Sequence, residues 1–161
     1  MYERFSMYRF GIDYPNTWRV EFDPKSRRAE GYVIFRSPND DIVFLTWGML
    51  ESIRGKYDSL EAQAEASFAR IAKRRDVKKL NLIETKTIEL NRHRTVYRHF
   101  VMDRTVGMRM LKANSKEIWS IHLQCERTDR FFIVYESTPD TERSRDQDLV
   151  FNHMVDSFVC H

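Results

Sequence analysis

The stretch whose reading decides the fold is Ile42-Val43-Phe44-Leu45-Thr46-Trp47-Gly48-Met49. Ile42, Phe44 and Thr46 alternate with Val43, Leu45 and Trp47, so an extended segment here is apolar on both faces. A strand of that kind belongs in the middle of a sheet with a layer on each side. Ser37-Pro38-Asn39-Asp40-Asp41 marks a turn just before it. Phe131 to Ser137 has the same two-faced character and stops at Thr138-Pro139-Asp140. These two segments predict the inner strands of one sheet.

A sheet buried on both faces needs two covers. The period changes to that of a helix between residues 59 and 75, where Leu60, Ala64, Phe68, Ile71 and Ala72 share a face. Asp58 or Ser59 can cap it, Glu61 completes a capping box with Asp58, and Lys73-Arg74-Arg75 suits the negative end of the helix dipole. A second helix is predicted over 144–158, with Ser144 and Gln147 as its capping pair. Val150, Phe151, Met154, Val155 and Phe158 form its apolar stripe.

The remaining segments read as strands. Phe10–Tyr14 and Trp18–Phe22 flank Pro15-Asn16 and predict a hairpin, and Tyr32–Arg36 predicts a further strand. Val77–Leu90, His93–Met102, Gly107–Leu111, Glu117–Cys125 and Phe131–Ser137 follow as consecutive antiparallel strands. Turns are expected at Asn91-Arg92 and Ala113-Asn114-Ser115-Lys116. The fold class is therefore α+β: an α/β/α sandwich with a mostly antiparallel sheet, as a single domain over residues 1–161.

Two stretches at the ends of this pattern carry a resemblance. They are Gly11-Ile12-Asp13-Tyr14-Pro15-Asn16-Thr17-Trp18 and Phe151-Asn152-His153-Met154-Val155-Asp156-Ser157-Phe158. An early Gly-x-x-Tyr-Pro-x-x-Trp turn, a middle helix, a meander and a last helix ending in Ser-Phe resembles the PsbP-like family. That resemblance implies an α/β/α sandwich. Its members include an extrinsic subunit of photosystem II and a factor that binds a small nuclear GTPase. It therefore implies non-enzymatic protein binding, by analogy of fold alone. No partner-binding residue of the family maps onto this chain.

Composition narrows the classes. The 161 residues hold 42% hydrophobic and 32% charged side chains with five Gly and four Pro, which excludes disordered and collagenous chains. No apolar run approaches the roughly 18 residues that span a bilayer. The first residues lack the apolar core of a secretory signal, so a cytoplasmic location is expected. Two cysteines, Cys125 and Cys160, are too few for a disulfide scaffold, although a bridge between them stays open.

Charge is distributed unevenly. Residues 70–116 hold fourteen basic and four acidic side chains, whereas the whole chain carries only +3. Arg92, Arg94 and Arg98 share strand parity, and Arg109 and Lys112 are assigned to the next strand. Together they are the candidate partner-binding residues, a basic face for an acidic or phosphate-bearing protein. The competing reading pairs these charges with acids elsewhere in the fold.

Other chemistry finds less support. No cofactor loop of the GxGxxG or Walker type occurs. His93 and His99 lie six residues apart on a strand, roughly 20 Å at about 3.3 Å per residue, and His122 and Cys125 point to opposite faces. Cys160-His161 is able to approach Cys125, yet no CxxC or HxxxH spacing accompanies it, so neither metal nor cofactor is expected. Cys125 continues the Trp119-Ile121-Leu123 face and reads as a buried hydrophobe rather than a nucleophile. Nucleic-acid binding is disfavoured because Tyr97 and Phe100, the aromatics of the basic window, alternate to opposite faces. A non-catalytic protein-binding module is the leading expectation, and a homo-oligomer stays open. The alternative is an enzyme or small-ligand binder with a pocket between sheet and helix.

Overall fold

The computed structural model describes residues 1–106, 112–139 and 145–161. The elements are β1 (Tyr2–Met7), β2 (Phe10–Pro15), β3 (Arg19–Phe22), β4 (Glu30–Arg36), β5 (Ile42–Met49), α1 (Leu60–Ala72), β6 (Val77–Leu90), β7 (His93–Val106), β8 (Lys112–Cys125), β9 (Arg130–Pro139) and α2 (Arg145–Ser157). Seven strands form one antiparallel sheet in the order β3-β4-β5-β9-β8-β7-β6, and β1 pairs with β2 in a separate two-stranded sheet. The α/β/α sandwich follows. Helix α2 and the β1–β2 hairpin lie on one face, and α1 rests against β6, β7 and β8 on the other.

The α2 face is a filled core. Phe10, Val33, Phe35, Leu45, Trp47, Ile121, Leu123, Phe132, Val134, Met154 and Phe158 are all buried there. Phe132 sits 5.4 Å from the Phe10 ring and 5.1 Å from the Phe158 ring, at the edge-on angles aromatic pairs favour. The motifs behind the family resemblance do packing work on this face. The Ser157 hydroxyl accepts a hydrogen bond from the Asp13 backbone N–H at 2.8 Å and donates to the Met154 carbonyl at 2.8 Å. Gly11 and Val159 form an isolated bridge, so the chain leaving α2 is stitched to β2.

The structure corrects several expectations. Strand β5 is inner, between β4 and β9, but of its large side chains only Val43, Leu45 and Trp47 are buried; Ile42, Phe44 and Thr46 are half-exposed. In β9, Phe132 and Val134 are buried while Phe131, Ile133 and Tyr135 are half-exposed. The reason is geometric: α1 is 13 residues long and lies over one side of a seven-stranded sheet, too short to cover β5 and β9 as well. The apolar side chains left over partly cover one another, as in the Tyr32–Phe44–Tyr135 stack, with ring centroids 5.2 and 4.9 Å apart.

Strand β2 does not pair with β3. It turns back on β1 through Tyr8 and Arg9, both with positive φ, a primed turn that lacks the usual Asn-Gly signature. The expected break at Asp103 and turn at 113–116 are also absent. Strand β7 runs on to Val106 and β8 begins at Lys112, pairing as a long ribbon in which the Ser115 hydroxyl donates to Asp103 at 2.7 Å. Cross-strand partners here outweigh local turn propensity. The predicted 107–111 strand and the Ser144 cap lie outside the described residues. The Asn91-Arg92 turn forms as expected, with φ of 48° and 67°. Ser59 rather than Asp58 caps α1, its hydroxyl accepting from the Ala62 N–H at 3.1 Å.

Candidate functional site

The partial cover over the α1 face leaves a cavity of about 500 Å³ between α1 and strands β5, β9, β8 and β7. The helix presents Ala64, Ser67, Phe68 and Ile71 to it, and the two small residues hold the backbone close while leaving space beneath. Phe100, Met102, Ile118 and Ile133 form an apolar floor. The sequence spacing explains this floor, since even-numbered residues of β7 and β8 and odd-numbered residues of β9 share one face.

The charged groups lining this cavity are all basic, and Thr46, Ser67, Ser120 and Ser137 add hydroxyls. Arg70, Arg74, Arg98, Arg104 and Lys116 line it together with His122 and Tyr135, and no carboxylate is among the described lining residues. Arg98 is 5% exposed. Its guanidinium lies 5.5 Å from the Phe68 ring and its Nη2 donates to Glu65 at 2.6 Å. Its Nε and Nη1 are buried with no hydrogen-bond partner among the described residues, as is His122 Nδ1. Buried polar atoms of this kind are costly to leave unpaired.

Burial, with a smaller contribution from the Arg98 charge, pushes the His122 imidazole down to about 4, so it is neutral at physiological pH. Burial likewise raises the Tyr135 phenol. Lys116 is lowered by burial first and then by the Arg104 and Arg36 charges. The cavity thus joins an apolar floor to basic side chains and a buried guanidinium.

The five basic residues singled out from sequence are placed differently. Arg92 sits in the β6–β7 turn, exposed to solvent. Arg94 and Arg98 share a face, as their parity requires; Arg98 is buried under α1, whereas Arg94 stays exposed at its edge. Arg94 pairs with Glu61 at 2.7 Å and Arg98 with Glu65 at 2.6 Å. Lys112 opens β8, and Arg109 lies outside the described residues. Arg104 and Arg74, by contrast, converge on Asp76, with Arg104 Nε donating at 2.7 Å and Arg74 Nη2 at 3.0 Å. Sequence reasoning weighed His122 only as a metal ligand and did not single out Tyr135 or Lys116, although strand parity carries the signal: Lys116 and His122 alternate away from the buried Trp119-Ile121-Leu123 face, and Tyr135 from Phe132 and Val134.

A second convergence lies on the opposite face. Cys125 and Cys160 form a disulfide, and His93 and His161 stand against it. Extending the β7–β8 register past Thr95↔Leu123 sets His93 opposite Cys125. The sequence comparison of His93 with His99 missed this, because the relevant neighbour is across the ladder, not along the strand.

By sequence the chain matches no family model and no curated protein. Its fold is shared with solved structures. The solution structure of cyanobacterial PsbP (CyanoP) from Synechocystis sp. PCC 6803 superposes with a TM-score of 0.68 at 14% identity, covering 99% of this chain and 92% of that one. The protein of unknown function PA94 from Pseudomonas aeruginosa gives a TM-score of 0.57 at 10% identity, covering 99% and 97%. The chain therefore has the PsbP-like fold. No described helix is long and apolar enough to cross a membrane.

Proposed function

We propose that this domain is a small-ligand binder that takes an anionic molecule with an apolar body into the cavity between α1 and the sheet. The observation that carries this reading is the buried Arg98 guanidinium, with two nitrogens lacking partners among the described residues, beside an apolar floor in a cavity lined by four further cations. An acidic head of carboxylate or phosphate type would accept a hydrogen bond from the Arg98 guanidinium, at Nη1 on the side away from Glu65. The apolar body would cover Phe68, Phe100, Ile118 and Ile133. The cavity volume falls in the range of ordinary small-molecule sites. The site offers binding rather than catalysis: no cysteine, carboxylate or metal-ligand set joins His122 among the described lining residues.

The alternative of a basic face for a folded acidic partner is less supported, because Arg98 is buried under α1 and both Arg94 and Arg98 already pair with Glu61 and Glu65. The test is calorimetric titration with decanoate and with decanol. Decanoate should bind at least about tenfold more tightly, the scale of one charge-assisted hydrogen-bond pair. Arg98→Met should remove that preference with little loss of stability, since its partner Glu65 is largely solvated, with 63% of the side chain exposed. Equal affinities in the native protein, or an unchanged preference in Arg98→Met, would reject the reading.

A further inference from the structure

We infer that the reduced form of this protein holds one zinc-class divalent ion between His93, Cys125, Cys160 and His161. The site is separate from the α1 cavity and does not rest on the reading given to it. The four residues come from three places: the start of β7, the end of β8 and the chain beyond α2. One ligand atom from each lies within 4.8 Å of every other. Cys160 Sγ is 3.2 Å from His93 Nε2 and 3.3 Å from His161 Nδ1, and Cys125 Sγ is 3.7 Å from His161 Nδ1. Metal–sulfur bonds of about 2.3 Å and metal–nitrogen bonds of about 2.0 Å place tetrahedral ligand atoms roughly 3.3–3.8 Å apart, so the three sulfur–nitrogen pairs already fit, while the bonded sulfurs part on reduction and any wider pair, at most 4.8 Å, draws in.

The donor chemistry is a Cys2His2 set, which favours a borderline-soft tetrahedral ion over calcium or magnesium. A disulfide by itself requires no imidazole nitrogens directed at its sulfurs. The backbone before Cys160 is held. Val159 exchanges two 2.9 Å hydrogen bonds with Gly11, and Asn91 Nδ2 donates to the Asp156 and Phe158 carbonyls. Both sulfurs are buried, at 0% and 2% exposure, while His161 is exposed and gives the ion a way in.

The chemistry balances as two alternative closures of one junction. An external dithiol reduces the Cys125–Cys160 bond with two electrons, giving two thiols and its own disulfide. The thiols then release two protons as their thiolates bind the divalent ion, with both imidazoles neutral. The disulfide ties the tail after α2 to β8, and the metal-bound state ties it to β7 as well.

The test is titration of the reduced full-length chain with Co²⁺ and Zn²⁺ in a phosphine reductant. One equivalent of Co²⁺ should give the visible bands of a tetrahedral ion with thiolate charge transfer, and Zn²⁺ should displace it. His93→Ala and His161→Ala should each weaken binding at least about tenfold, the lower scale even for outer-shell partners. The double-histidine variant keeps both cysteines, so its fold is checked in the oxidised state by circular dichroism. No tetrahedral cobalt spectrum in the reduced native chain would overturn the inference. So would an unaltered spectrum in a folded double-histidine variant.

Discussion

The two faces of the seven-stranded sheet are built from the same strands and finished differently. Toward α2, side chains interdigitate from three sources (sheet, helix and the β1–β2 hairpin), and Phe10, Phe35, Leu45, Phe132 and Phe158 are essentially inaccessible. Toward α1 a single helix with a small-residue stripe spans part of the sheet and leaves a cavity lined by cations. The first face is organised as a close-packed interior. The second keeps apolar side chains and cations around an open cavity. The contrast separates the part of the chain that stabilises the fold from the part available to bind.

The largest effect expected from that contrast is a truncation on the filled face. Phe132→Ala should cost about 3–5 kcal/mol in denaturant unfolding, because the hole left among Phe10, Phe158 and Arg130 has no room to collapse. Phe100→Ala, equally buried but bordering the cavity, should cost clearly less, since fewer packed neighbours are lost. Equal costs would mean that the α1 side is packed as firmly as the other.

An intermediate effect comes from His122. Its folded value of about 4 lies below the ordinary 6.5, so folding favours the neutral ring. Its contribution is fully present above pH 6.5 and is lost as pH falls toward 4, by up to about 3 kcal/mol. Glu21, Glu61 and Asp76, all lowered by hydrogen bonds, act further down the acid range. Unfolding midpoints from pH 7 to 4 should therefore fall more steeply in the native protein than in His122→Leu. Parallel profiles would show that the ring is hydrated and that the cavity wall is wet.

The smallest effect should come from the outer rim of the same face. Glu61→Gln breaks the Arg94 pair, whose side chains are 66% and 40% exposed, and should change stability by less than about 0.5 kcal/mol at moderate salt. A larger loss would mean that α1 is held to the sheet by charge more than by Leu60, Ala64 and Phe68.

Much of the fold was legible because period and burial are local signals. The two-faced runs at 42–49 and 131–137 marked inner strands, and the stripes around Phe68 and Phe151 marked the two covering helices. The first hairpin was not legible. Tyr8-Arg9 carries no turn signature, and what holds β2 is Ser157 and Val159, more than 140 positions away. The candidate sites were legible only in part. Parity put Arg94 and Arg98 on one face, but whether that face met solvent depended on where α1 came to rest.

Residue type and spacing by themselves determined the α+β class, the inner strands, the amphipathic helices and the basic bias of residues 70–116. Tertiary structure alone decided which strand face the short helix covers, hence the cavity at Arg98 and His122. It alone brought His93 and His161 to Cys125 and Cys160. The reason is that alternation along a chain is set by backbone geometry one residue at a time, whereas convergence depends on registers and crossings that many distant contacts fix together.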